Sequence, residues 1–545
     1  MGGPDRADSR PAWRRWPGAR PWAVGLSLAA LPICARLILL AWVPVPVPQV
    51  HDEFSYLLGA DTFVHGRLAN PSPAEPQFFE TPHVLVRPTY ASKYPPGQSL
   101  LLAASLLLTG HPYPGVVFSI GLLALAAWWM LRGWLASGWA AVGGLLVALR
   151  FSVPHYWVNS YWGGSLAAIG GCLVVGAVGR MRQPGSRAGL VSAAAGLSLL
   201  LLTRPYEGLL LGVPALGYGL AALRRRHPAR RLLGRALLAG AILGGWLWFQ
   251  VSLNAAVTKD PFVLPYLLHE RTYATVPFLW LLAPRPVPAY SDSTLYQQHV
   301  TAESRQYEEL RGHLTLAGWW RLPARPLGAL VRLYGPPILL LPLFAWWYRG
   351  RPEVAVLASV ALVVWAGVSL ALWSHEHYLA PALPLVLVLV LVLIGAAAQD
   401  GRHRLRRWLG LVWLVALFAA IPWCAHTQRP RPLRHLRYQV AEHLRRQGGQ
   451  HLVFVRRAPD LQTWIDWVYN GADLRTAPVL WARDRGAENE RLRRLYPGRA
   501  CWLAEVWPRG FFLWPYTDDT DPAWAGASPS PVLLPSSRPD PGCWR

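Results

Sequence analysis

Residues 22–45 read WAVGLSLAALPICARLILLAWVPV, and after five more residues the chain enters His51-Asp52-Glu53-Phe54-Ser55-Tyr56. The first stretch is long and apolar enough to cross a bilayer, which takes about 20 mostly apolar residues. The second places two adjacent carboxylates where the chain leaves the apolar run. Ten further apolar stretches follow: 113–134, 138–154, 160–179, 188–203, 206–223, 232–252, 328–348, 353–373, 378–397 and 407–424. The pattern predicts an all-α polytopic membrane protein with about eleven transmembrane helices. The run 97–109 is too short to span and is expected to lie at the interface.

Composition agrees. The chain has 545 residues, of which 53% are hydrophobic and 15% charged, against about 25% charged in an ordinary soluble domain. A disordered chain would be poor in apolar residues, and a soluble enzyme would not block them into long runs. The formal charge is +24. A charge of this size can mark a nucleic-acid partner, but its distribution points to a membrane. Arg14 and Arg15, Arg180 and Arg182, Arg224 to Arg226, Arg349 and Arg351, and Arg402 to Arg407 fall in alternate connections, while 155–159 and 374–377 carry no arginine. That is the positive-inside pattern. It puts the N-terminus in the cytoplasm and the C-terminus outside, with membrane lipids and no nucleic acid as partners. The basic, then apolar, start resembles a signal peptide, but Val-Pro repeats follow in place of a small-residue cleavage site, so an uncleaved first span is expected.

Four parts follow: a basic N-terminus 1–21, a transmembrane unit 22–424 with outer loops 46–96 and 253–327, a small extracytoplasmic domain 425–525, and a Pro/Ser-rich loose tail 526–545. Within the outer domain His451 to Val455, Val479 to Ala482 and Ala500 to Val506 read as strands and Asn489 to Tyr496 as a helix, which makes it α/β. Thr301 to Arg311 reads as a charged helix in the second outer loop. The five cysteines form no CxxC pair. Cys501 and Cys543 would be free to pair in an extracytoplasmic domain; whether they do is left open.

Chemistry concentrates in the first outer loop. A carboxylate at the membrane surface suits a general base acting on a hydroxyl; alternatively, Asp52 caps a short helix from Glu53 to His65. Further on comes Arg87-Pro88-Thr89-Tyr90-Ala91-Ser92-Lys93-Tyr94-Pro95-Pro96-Gly97. The prolines suit a helix start, and a lysine just ahead of free backbone N–H groups suits a phosphate or lipid headgroups.

The Asp-Glu pair after the first span, followed by a Lys–x–Pro–Pro segment opening an interfacial helix, resembles the GT-C superfamily of membrane glycosyltransferases. The branch is family-39-like, holding the protein O-mannosyltransferases and aminoarabinose–lipid A transferases, and the resemblance covers residues 22–425. It implies an inverting hexosyl or pentosyl transferase acting at the outer face. The donor would be a polyprenyl-phosphate sugar and the acceptor a hydroxyl on protein, lipid or glycan. It also implies Asp52 as the catalytic acidic residue, Glu53 as its neighbour, and Lys93 at the donor phosphate. In many relatives the lysine abuts the two prolines, whereas here Tyr94 intervenes. A bacterial cytoplasmic (inner) membrane is the expected location. Nucleotide sugars are not expected outside that membrane, so an outward-facing transferase needs a donor already carried across on lipid.

Other groups are candidates for donor or substrate contacts: Tyr90, Arg204 and Glu207 at the outer end between the fifth and sixth spans, and His375, His377 and Tyr378 after the ninth. Arg204 and Glu207 are costly at a membrane edge unless paired or facing a cavity. No cofactor is certain. A divalent metal is an alternative, with Glu80 and His83 as its candidate ligands. The rival function is a polytopic lipid or sugar transporter or flippase, expected to show inverted repeats and polar groups at the midplane; the chain has no such repeat. A scaffold whose tail binds envelope partners through Trp464, Asp466, Trp467, Tyr469 and Asn470 is a third alternative.

Overall fold

A computed structural model describes residues 21–152, 155–183, 189–225, 232–315, 318, 321–426, 436–458, 461, 466–507 and 510–516. The basic N-terminus, the loose tail, Trp464 and Cys543 with its expected pairing to Cys501 lie outside the described residues.

Each long apolar run becomes a helix because a backbone in hydrocarbon must satisfy its N–H and C=O groups internally. The transmembrane unit opens with α1 (Pro21–Leu39). Arg36, near its end, is 1% exposed; its guanidinium donates to the carbonyls of Val43 (2.9 Å) and Pro44 (3.1 Å) and lies over the Tyr113 ring. An arginine inside an apolar helix is thus spent on satisfying the chain as it leaves that helix. The first outer loop then forms α2 (His51–Val64), the short strands β1 (Asn70–Pro71), β2 (Val84–Leu85) and β3 (Thr89–Ser92), and α3 (Gly97–Thr109). These strands pair antiparallel in the order β1-β3-β2, with Asn70 opposite Tyr90 and Val84 opposite Ser92.

The bundle continues with α4 (Tyr113–Leu131), α5 (Ser137–Ser152), α6 (Ser165–Met181), α7 (Gly189–Thr203), α8 (Pro205–Arg224) and α9 (Leu233–Thr258). Helices α6 and α7 pack backbone to backbone: a Cβ on Gly170 would stand 3.1 Å from the Gly196 carbonyl oxygen. Small residues allow such an approach where lipid supplies no hydrophobic driving force. The second outer loop holds α10 (Pro265–Tyr273), then α11 (Ser293–Tyr296) running through a π-helical turn into α12 (Glu303–Gly312). The bundle closes with α13 (Arg321–Tyr334), α14 (Leu341–Trp347), α15 (Pro352–Leu370), α16 (Leu383–Ala398) and α17 (Arg404–His426). All residues from Leu383 to Ala397 are buried, so α16, apolar all round, is the central helix. By contrast α9 exposes Leu237, Leu238, Leu247 and Trp248, as a lipid-facing helix does.

The expected count of about eleven spans is matched in part. Among the described residues six helices are long and apolar enough to cross a membrane: Trp22–Leu39, Tyr113–Leu131, Pro205–Arg224, Leu233–Thr258, Pro352–Leu370 and Arg404–Trp423. The other expected spans are shorter apolar helices. At about 1.5 Å per residue, 16 residues reach about 24 Å, less than the hydrocarbon core of about 30 Å. The expected span 328–348 is also broken. Gly335 has φ +82°, and Pro336 and Pro337 follow it, so the chain kinks between α13 and α14.

The small outer domain is α/β as expected, with two elements the pattern did not reveal. Its sheet runs β5-β4-β6-β7, from β4 (His451–Arg457), β5 (Val479–Arg483), β6 (Ala500–Trp507) and β7 (Gly510–Pro515). β4 is parallel to β5 and β6, and β7 returns antiparallel to β6. The helices are α18 (Leu436–Gln447) and α19 (Asn489–Leu495); α18 and β7 were missed. Alternation along β4 decides the packing. Val453 and Val455 face Val440, Ala441 and Leu444 of α18, whereas Leu452 and Phe454 join Phe78, Phe79, Val84 and Val86 of the first outer loop. The sheet is sandwiched between its own helix and that loop.

Candidate active site

The site is built around the start of α2. Val50 is extended (φ −122°, ψ 155°) and the helix begins at His51. Glu53, three residues on, accepts from the backbone N–H of Gln49 (2.7 Å) and Val50 (3.1 Å) with one oxygen, and from that of Tyr161 (2.9 Å) with the other. Glu53, and not Asp52, therefore caps the helix. Both its oxygens are occupied, which makes it a positioning residue that ties the first loop to the mouth of α6. Burial pushes its carboxyl up to about 7, while the three N–H groups pull the other way.

Relieved of capping, Asp52 faces the site and keeps 19% of its side chain exposed. Its Oδ1 accepts from the Tyr94 hydroxyl, and its Oδ2 lies 3.4 Å from His51 Nε2. Tyr94, the residue separating Lys93 from the prolines, is thus the one that holds Asp52. It also stacks on Tyr56, ring centroids 4.6 Å apart. Lys93 is 5% exposed, with Nζ 3.7 Å from Glu270 of α10 and over the rings of Tyr94 (5.5 Å) and Tyr266 (5.0 Å). It is paired with a carboxylate.

On the other flank Arg204, at the N-cap of α8, lies over the Tyr378 ring at 4.6 Å, and Glu207 is buried one turn on. The turn 376–378 presents His377, whose Nδ1 is 3.1 Å from the Tyr156 hydroxyl and whose ring packs on Trp162 (4.7 Å) and Tyr378 (4.9 Å). Glu376 is ion-paired to Arg332, and His375 stands exposed beside Trp373. Tyr56 lies in the fields of both Asp52 and Arg204, which joins the two flanks. Asp52, Lys93, Arg204, Glu207, His377 and Tyr378 thus border one region at the same end of the bundle.

Two expectations fail. Tyr90 points away: it is 2% exposed and donates to the carbonyl of Asn470 in the outer domain at 3.2 Å. Glu80 and His83 are not brought together. Glu80 accepts from Ser291 and its carbonyl accepts from Arg483 Nε at 3.0 Å, whereas His83, at φ +68°, turns its ring inward to meet His51 edge-on at 4.2 Å. His51, Asp52 and His83 each offer a ligand atom within 4.8 Å of the others. Burial holds both imidazoles below their ordinary value, His83 well below it, so both are neutral donors at pH 7. The second loop adds His269, 6.1 Å from His83, and a His299–Glu303 pair at 3.0 Å. None of these second-loop groups was singled out from sequence, because nothing local ties them to Asp52.

No family model matches the sequence, and no curated protein does. Solved structures do. ArnT from Cupriavidus metallidurans in the apo state superposes with a TM-score of 0.51 at 12% identity, covering 90% of this chain and 93% of that one. The same protein bound to undecaprenyl phosphate gives 0.51 at 14%, covering 90% and 94%. The arabinofuranosyltransferase AftD from Mycobacteria gives 0.43 at 15%, covering 90% of this chain and 35% of that one. At such identities the likeness is one of fold alone: over 90% of its length the chain is similar in fold to ArnT.

Proposed function

We propose that the protein is an inverting glycosyltransferase that moves a sugar from a polyprenyl-phosphate donor to a hydroxyl acceptor at the outer face of a bacterial inner membrane. The observation that carries this is the Asp52 carboxylate, oriented by Tyr94 and open to a region flanked by Lys93 and Arg204. The ArnT fold, solved in that protein with undecaprenyl phosphate, supports a lipid-phosphate donor.

In the reaction Asp52 takes the proton of the acceptor hydroxyl as the acceptor oxygen bonds to the anomeric carbon. The bond from that carbon to the phosphate oxygen breaks, and its electron pair leaves with the polyprenyl phosphate. Lys93 and Arg204 stabilise that developing charge. Lys93 reaches the phosphate by exchanging part of its contact with Glu270. His377 and Tyr378 line the donor side. Glu53 holds the helix that aims Asp52.

The test is donor turnover by the full chain in lipid nanodiscs, with a panel of polyprenyl-monophosphate sugars and crude envelope acceptor. Release of free polyprenyl phosphate by wild type and not by Asp52→Asn is expected. Full activity in Asp52→Asn would remove the base assignment. Intact lipid moved across the bilayer, with no release, would favour a flippase instead.

A further inference from the structure

We propose that residues 467–472 of the outer domain form a strap that fixes α2 and so sets the position of Asp52, with Phe54, Tyr469 and Arg437 as positioning residues. The segment lies between β4 and β5. Its Trp467 and Tyr469, candidates for an outward binding surface, are each 4% exposed. Phe54, Leu58 and Asp61 recur at helical spacing and share one face of α2, and the strap follows that face. The Tyr469 ring stacks on Phe54, with centroids 4.5 Å apart and planes 6° from parallel. Leu58 packs in one apolar cluster with Tyr469 and Ala472. Asp61 accepts from the Ala472 N–H at 2.6 Å, and a Cβ on Gly471 would stand 2.7 Å from the same carboxylate oxygen. Arg437 of α18 locks the arrangement. Its guanidinium donates to the carbonyls of Trp467 (2.9 Å) and Tyr469 (2.6 Å) and lies over the rings of Phe54 (4.8 Å) and Trp481 (4.7 Å).

Elsewhere α2 rests on its own loop. Ser55 Oγ donates to the His83 carbonyl at 2.7 Å, and Ser99 Oγ donates to the Tyr56 carbonyl at 2.9 Å. The strap, stacked two residues from Asp52, adds the contact that resists rotation of the helix about its axis. Side-chain tips stand about 5–6 Å from a helix axis, so a rotation of about 10° moves the Asp52 carboxylate by about 1 Å. A misplacement of about 1 Å costs about 10²-fold in rate. The effect on turnover rests on the transferase reading; the hold on α2 does not.

The experiment compares wild type, Phe54→Leu, Tyr469→Leu and Tyr469→Phe, each as the full chain in nanodiscs. It reads hydrogen-exchange protection of the α2 amides, undecaprenyl phosphate bound per chain, and donor release per bound site. Phe54→Leu and Tyr469→Leu should each lower α2 protection about three- to tenfold. Each should lower release per site by about 10–10²-fold while binding as much undecaprenyl phosphate as wild type. Tyr469→Phe keeps the ring and should match wild type in all three. The double leucine variant should be no worse than either single one, because both remove the same contact. A merely structural loss would lower the lipid bound per chain in step with turnover, and that result overturns the proposal. So does α2 protection left at the wild-type level in both leucine variants, or a loosened α2 with unchanged release per site. Wild type that releases no polyprenyl phosphate from any donor, with α2 loosened in the leucine variants, ends the transferase reading and keeps the strap's hold on α2.

Discussion

The first outer loop meets buried charge in two places, and the two are finished differently. At its junction with the outer domain, Asp466 and Arg483 form a bidentate pair. Thr81 (2.9 Å) and the Val468 N–H (3.2 Å) also donate to Asp466, and Arg483 donates to the Glu80 carbonyl. Some thirty residues earlier, at Asp52, the Nδ1 atoms of His51 and His83 are buried without partners. A junction that only has to hold closes its hydrogen bonds, because an unpaired buried polar group costs about 1–3 kcal/mol. A site that must receive a substrate leaves groups open. The contrast separates Asp466 from Asp52 although both are carboxylates in polar surroundings.

It can be broken by substitution. Asp52→Asn should lower donor turnover by about 10²–10⁴-fold and leave the thermal unfolding midpoint close to wild type. Arg483→Met should do the opposite kind of damage. It leaves Asp466 buried and uncompensated, which costs about 3–5 kcal/mol, read as a lower unfolding midpoint and faster proteolysis of the outer domain. If Asp52→Asn destabilised the protein as much as Arg483→Met, the distinction would fail.

Acid sharpens it. Although burial alone would raise it, Arg483 and then Arg457 hold the Asp466 carboxyl down to about 2, against about 3.9 in an unfolded chain. The stabilisation is therefore complete above about pH 4 and is lost as pH falls through about 2, amounting to about 2–3 kcal/mol. Unfolding followed between pH 5 and 2 should show this slope in wild type, and Asp466→Asn should flatten it. Last, Tyr94→Phe removes one hydrogen bond to Asp52, worth about 1.5–3 kcal/mol when the acceptor is charged. Turnover should fall about tenfold or somewhat more, with little change in folding; an unaltered rate would mean that Tyr94 does not orient Asp52.

Much of the fold was legible because hydrophobic runs and arginine placement are local signals. Asp52 and Lys93 were singled out through the family resemblance, and Arg204 and His377 as polar groups at the ends of apolar runs. That Glu53 and not Asp52 caps α2 was not legible, because the partners of Glu53 include the N–H of Tyr161, far along the chain. Tyr90 was misassigned because strand alternation alone does not say which face of β3 meets the outer domain. His83 was paired with Glu80 by proximity in sequence, but a positive φ sends its ring elsewhere. β7 was missed because its partner β6, not its own composition, completes it.

The sequence by itself determined a multi-pass membrane protein, its apolar helices and its acidic first loop, since these follow from what twenty apolar residues and a row of arginines do near a bilayer. Only the tertiary structure decided which of two adjacent carboxylates is spent on the backbone and which stays partly exposed. It also decided that His51 and His83 meet, and that the outer domain closes on the first loop. Those outcomes depend on hydrogen-bond partners and packing faces brought together from distant segments, and no local pattern in the chain encodes them.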